Sequence, residues 1–179
     1  MRTKKKRVKI LFVFLALVLT LIVVKAVWVS IATRHNGDFD SEKQDILSRR
    51  NYLLEKVIIT PQQLIDEMPA AVGPQFQGEW ALYSCSMLSA SLVNTTLIYG
   101  EDREENIARI DSLIQIVMSP ELRAYDRERW GEDPLETLDG HKSHVSYLSH
   151  LAWMIGGYKQ IGGGDKYDEL YYTTTSARP

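Results

Sequence analysis

Hydrophobic positions along this chain fall into three kinds of run. Ile10–Ala32 (ILFVFLALVLTLIVVKAVWVSIA) is apolar almost throughout, with Lys25 its one charge. Trp80–Tyr99 (WALYSCSMLSASLVNTTLIY) and Ser143–Tyr158 (SHVSYLSHLAWMIGGY) contain no Asp, Glu, Lys or Arg, yet hydroxyls interrupt both. Elsewhere apolar residues recur every three or four positions between charged ones, which predicts half-covered helices. Ile46, Leu47, Leu53, Leu54 and Val57 make one such face, with Arg49, Arg50 and Glu55 expected elsewhere around the cylinder. Ile107, Ile110, Leu113, Ile114 and Val117 make another, within Arg103–Met118.

Start and stop signals divide these runs. Ser41-Glu42-Lys43-Gln44 has capping-box form, and Thr60-Pro61-Gln62-Gln63 is another start signal, with threonine as cap and proline at the first helical position. Pro69 and Gly73-Pro74 shorten the helix that follows Thr60. Gly100 closes Trp80–Tyr99, Asp102 is placed to cap Arg103–Met118, and Ser119-Pro120-Glu121 opens Pro120–Trp130. Gly131–Lys142 (GEDPLETLDGHK) reads as a loop, and Gly162-Gly163-Gly164-Asp165 as a tight turn before Lys166–Tyr172. No strand is strongly signalled: Val57–Thr60 is too short to build a sheet. The predicted class is all-α.

Ile10–Ala32 is long enough to cross a bilayer, whose ~30 Å core needs about 20 helical residues. Arg2, Lys4, Lys5, Lys6, Arg7 and Lys9 precede it, whereas Arg34 and the acids Asp38 and Asp40 follow. The positive-inside bias then puts the N-terminus in the cytoplasm and exports the rest. Lys25 can snorkel to the headgroups. Ser30-Ile31-Ala32 has the form of a signal-peptidase site, but the run far exceeds the ~7–15 residues of a signal peptide's apolar region. An uncleaved signal anchor is expected. The hydroxyls of Trp80–Tyr99 argue against a second span and for a core helix surrounded by others. In it Ser84, Ser91 and Thr95 form a stripe that lets a neighbouring backbone approach.

Charge sharpens the division. The 179 residues carry a formal charge of −2, but eight of the 21 Lys and Arg and none of the 23 acids lie in residues 1–34. Residues 35–179 therefore carry −10, which leaves no footprint for nucleic acid. The basic arm suits the membrane's inner face. Cys85, the one cysteine, sits in an apolar segment and is expected to pack as a small hydrophobe.

Uncharged helix, amphipathic helix, uncharged helix, amphipathic helix is the order that results. Short connections pack consecutive helices antiparallel. The alternation implies an inner and an outer layer. Trp80–Tyr99 with Arg103–Met118, and Ser143–Tyr158 followed by Gly-Gly-Gly-Asp165-Lys-Tyr167-Asp168, resemble the hairpins of α/α-toroid (six-hairpin) proteins. That group includes many glycan-cleaving enzymes and linalool dehydratase/isomerase-like proteins. The resemblance covers about residues 77–172 and carries over no catalytic motif. It implies an incomplete toroid, since a full one takes about a dozen helices. The ending from Tyr171 to Pro179 leaves the helical pattern, as a truncated or frameshifted product would. The expected organisation is a cytoplasmic arm (1–9), a transmembrane anchor (10–32), a linker with juxtamembrane helices (33–76), helical hairpins (77–172) and an irregular tail (173–179).

Candidate chemistry is sparse. His141, His144 and His150 lie within ten positions, with Asp139 just before. His144 and His150 are six apart, on different sides of a helix, so no metal site is expected and capping or packing roles are. Asp139, His141 and His144 are the acid–base candidates, because a loop entering an inner helix is where a perturbed titratable group serves. Trp80, Trp130 and Tyr147 are the candidate substrate platforms, with Trp153 beside them. Glu132, Asp133, Glu136 and Asp139 supply carboxylates for glycoside hydrolysis, although in a loop solvated charge is the default. No cofactor is expected. The leading expectation is a single-pass, membrane-anchored, extracytoplasmic helical domain that is not catalytic as this chain. The alternatives are a membrane-tethered enzyme acting on glycans or isoprenoid-like molecules, and a small envelope protein that binds a protein partner.

Overall fold

Three- and four-residue apolar spacing turns nearly all of this chain into helix. The computed structural model describes residues 2–33, 39–100, 102–136 and 144–176, and among these no strand occurs. The helices are α1 (Arg2–Thr33), α2 (Phe39–Val57), α3 (Pro61–Glu67), α4 (Pro74–Tyr99), α5 (Arg103–Val117), α6 (Pro120–Trp130), α7 (Val145–Gln160) and α8 (Asp168–Ser176), with a 3-10 turn at Ala70–Val72. The chain divides into two units, Met1–Glu42 and Lys43–Pro179, the division falling inside α2.

In the first unit α1 has apolar side chains on every side. All those from Phe14 to Ser30 are exposed, including Phe14, Leu17, Leu21 and Trp28.

The second unit is built around α4, which packs against α3, α5, α6 and α7. Leu82, Cys85 and Leu92 of α4 meet Ile110, Leu113 and Ile114 of α5 and Leu151 and Ile155 of α7 in one buried cluster. Burying such a side chain fully stabilises by about 1.5–3 kcal/mol. Cys85 is wholly enclosed, and burial pushes its thiol up to about 12, so it is unreactive as well as unpaired.

Contacts fix the directions of the helices. Ser86 bonds His150, and seven residues further along both helices Val93 lies against Gly157, so α4 and α7 run parallel. α5 runs against both. Near its start Asn106 Nδ2 donates to Thr96 Oγ1 at 2.7 Å and Arg103 donates to the Ile161 carbonyl at 2.9 Å. At its far end the Val117 carbonyl accepts from the Tyr147 hydroxyl at 2.8 Å. α8 returns antiparallel along α7, with Lys159 bonded to Asp168 and Tyr171 beside Gly156. The turn between them needs its glycines, since Gly162 and Gly164 take φ of 95° and 82°. Two helices with a single charge each, Glu79 and Lys159, thus lie side by side and parallel, each with an antiparallel amphipathic neighbour.

Several boundaries and faces differ from expectation. α4 begins at Pro74, six residues before Trp80, and α2 begins at Phe39, which leaves Ser41 inside the helix and not at its cap. Thr60 does form the capping box with Gln63, and Ser119 caps α6. Asp102 stands at the N-cap of α5 with a left-handed φ of 49° and makes no capping bond. Its carboxylate instead faces Arg50 at 3.7 Å. Arg50, expected away from the apolar face, is 5 % exposed. The spacing explains this, because 47, 50, 54 and 57 share one helical stripe. Helices approach closely at Gly78, off the stripe of Ser84, Ser91 and Thr95, where a Cβ would meet the Tyr125 ring at 2.6 Å. α4 is also not enclosed on all sides, for Phe76, Trp80, Met87 and Ile98 remain exposed. Finally, α8 starts two residues later than Lys166 and continues to Ser176, so 173–176 extend the helix.

Candidate functional site

Two polar features meet at the start of α7. The first is buried. Asp126 occupies the last full turn of α6, held inward because Leu122 and Tyr125 bury the same face. Its Oδ2 is hydrogen-bonded to His144 Nδ1, at the residue preceding α7. The two side chains are 3 % and 2 % exposed. His144 Nε2 is also buried, and lies 3.4 Å from Glu132 Oε1, within ion-pair range but outside hydrogen-bond geometry. Beside this couple Arg123 pairs with Asp133, which also accepts from the Leu135 amide at 3.0 Å. Burial lifts the Asp126 carboxyl above its ordinary value, outweighing the His144 hydrogen bond and the charges of His144 and Arg129 that pull it down.

The second feature is at the surface. Trp80, Tyr83, His150 and Trp153 form a row of rings across α4 and α7. Their successive centroids are 6.4, 4.7 and 6.3 Å apart. Tyr83 donates to Glu79 at 2.9 Å, and the Ser86 hydroxyl meets His150 Nδ1 at 2.8 Å. Trp80 and Trp153 are each about half exposed (52 % and 50 %).

Burial lowers the His150 pKa below 6.5, against the weaker upward pull of Glu79. The unfolded chain takes this proton near pH 6.5, and the native state only at lower pH. Stability therefore falls as pH drops from about 6.5 through the native midpoint, and His150 imposes no penalty above that window. An NMR titration of the ring should show a midpoint below 6.5, moved lower again in Glu79→Gln. A midpoint above 6.5 would contradict the placement.

The residues singled out from the sequence separate on this map. Asp139 and His141 lie outside the described residues. His144 has the packing role, clasped to Asp126, and presents no nitrogen to solvent. Trp80 is on the surface row. Trp130 ends α6 half-buried, with the Arg129 guanidinium 5.2 Å from its ring centre. Tyr147 is wholly buried and spends its hydroxyl on Val117, so its ring offers no platform to a ligand. Sequence reasoning missed Arg123, Asp126, Tyr83 and the pairing of His150. Among the described residues no group of three His, Cys, Asp or Glu side chains is placed to hold a metal ion.

Chemically, the buried couple is a clasp that ties α6 to the entry of α7. The surface row is an uncharged aromatic strip flanked by one carboxylate. No family model, curated protein or solved structure matches this chain.

Proposed function

We propose that this chain is a membrane-tethered, extracytoplasmic helical docking domain, with α1 as a single-pass anchor and Lys43–Pro179 as the exported part. The observation that carries the reading is the exposure of α1. Its apolar side chains from Phe14 to Ser30 face outward all around the cylinder. In water such a surface costs on the order of 25 cal/mol per Å², whereas a bilayer satisfies it. The cations Arg2 to Lys9 at one end set the direction.

α4 is itself long and apolar enough to cross a membrane, with a mean hydropathy of 1.2 over its best window. Just over half of that window, 56 %, is buried against other helices, which favours a core role. The parallel pair α4 and α7, each with an antiparallel partner, supports a hairpin repeat of the α/α-toroid kind. The docking role is supported by the burial of His144 against Asp126 and by the half-exposed rings of Trp80 and Trp153.

Cysteine labelling tests the topology. Cys85 is buried and silent, so a cysteine introduced at exposed Glu128 reports alone. In intact cells Glu128→Cys should react with a membrane-impermeant maleimide, and Lys4→Cys only after permeabilisation. The reverse pattern, or release of the chain by alkaline carbonate, would overturn the reading.

A further inference from the structure

The buried clasp between α6 and α7 leaves one polar atom unanswered. His144 Nδ1 donates to Asp126, so Nε2 of the neutral ring is an acceptor. That nitrogen is buried, makes no hydrogen bond, and lies 3.4 Å from Glu132 Oε1, a second acceptor. Two acceptors that face one another away from water need a positive centre between them. A proton on Nε2 fills the gap poorly, because the contact is long and off the hydrogen-bond axis. A metal ion fits it. In a tetrahedral site with ligands ~2.0–2.1 Å from the ion, neighbouring ligands stand ~3.3–3.4 Å apart and about 35° off each other's metal bond.

We propose that His144 Nε2 and Glu132 Oε1 are two ligands of a divalent transition-metal site of the zinc type, with Asp126 orienting the ring from behind. Donor chemistry, ring orientation and charge select the ion. Imidazole with a carboxylate is a zinc donor set, whereas calcium and magnesium take shells of oxygen. A carboxylate on the far nitrogen fixes the tautomer of a zinc-bound histidine and raises its basicity, which is the place Asp126 holds. Asp133 is paired with Arg123, while Asp126 and Glu132 flank the two nitrogens of the ring, so a divalent ion balances the carboxylates at His144. The Glu132 side chain is 24 % exposed, which gives the ion an entry and lets water complete its shell. Two protein ligands make an exchangeable site and not a closed one. Asp126 lies in α6, Glu132 follows its Gly131 cap, and His144 opens α7, so a bound ion staples both ends of one connection. None of these residues belongs to α1, and the site stands apart from the proposed tether.

The full chain, purified in detergent micelles and stripped with a chelator, is the material for the test. Calorimetry should show a single zinc bound per chain. Cobalt(II) should give the visible absorption of a tetrahedral nitrogen–oxygen site, which zinc then removes. At a hundred times its dissociation constant, zinc should raise the folding constant about 100-fold, read as an upward shift of the melt. Glu132→Gln keeps the shape of a partly exposed side chain, so it should melt like the parent without zinc. It should bind zinc about 10-fold more weakly or worse, with a smaller shift of the melt. Asp126→Asn, which loosens the ring without removing a ligand, should weaken zinc by about 10–100-fold. His35→Gln and His150→Gln should bind zinc as the parent does. Absence of binding into the millimolar range, or an unchanged affinity in Glu132→Gln, overturns the proposal. So does loss of binding in His35→Gln or His150→Gln, since the ion would then sit elsewhere.

Discussion

Asp126→Ala should lower the unfolding free energy by about 3 kcal/mol, the upper end of the range for leaving a buried hydrogen-bonding group without its partner. The magnitude follows from what stays behind. His144 is 2 % exposed, and Asp126→Ala takes away the carboxylate that its Nδ1 is bonded to. Its other nitrogen lies 3.4 Å from Glu132 Oε1, without hydrogen-bond geometry. Asp126→Asn keeps an acceptor for Nδ1 and should cost about 1–3 kcal/mol, nearer the price of a weakened hydrogen bond. Equilibrium urea unfolding of the two variants measures the difference. A double-mutant cycle with His144→Ala then isolates the pair, and the double variant should lose less than the two single losses added. Equal, small losses in Asp126→Ala and Asp126→Asn would mean that the couple is solvated and does not clasp α6 to α7.

The clasp marks where sequence reasoning stops. Local signals were legible because their physics is local. Thr60 with Pro61, Ser119 with Pro120, and the turn at Gly162 each depend on residues within a few positions, and each occurs as expected. The fold class was legible for the same reason, since three- and four-residue spacing dictates helices directly. The His144 partner was not. Asp126 is eighteen residues away across a loop, and although Leu122 places it on the inner face of its helix, nothing local names His144 as its partner. Arg50 was misplaced for a different reason. Its position lies on the buried stripe of α2, but a guanidinium is ordinarily assigned to solvent. Asn51, which accepts at 3.1 and 3.3 Å, with Thr95 at 3.5 Å and Asp102, makes its burial tolerable. The open face of α4 was illegible too. An uncharged helix has the same composition whether neighbours cover all of it or only part.

Tyr147 gives the second large effect and discriminates best between the two roles open to it. A platform residue leaves stability nearly unchanged when truncated, as surface positions do. Tyr147 is instead wholly buried between α5 and α6, so Tyr147→Ala should cost about 3–5 kcal/mol through the cavity it opens. Tyr147→Phe separates the hydroxyl from the ring. The hydroxyl serves the Val117 carbonyl, one of the last of α5, which has no partner further along its own helix. Losing that bond inside the core should cost about 1–3 kcal/mol. Burial holds the Tyr147 hydroxyl well above pH 10, so alkaline difference spectra should show it ionising only as the protein unfolds. A phenolate that titrates near pH 10 in the folded protein, together with a mild Tyr147→Ala, would return this ring to the surface and to the ligand role first read from the sequence.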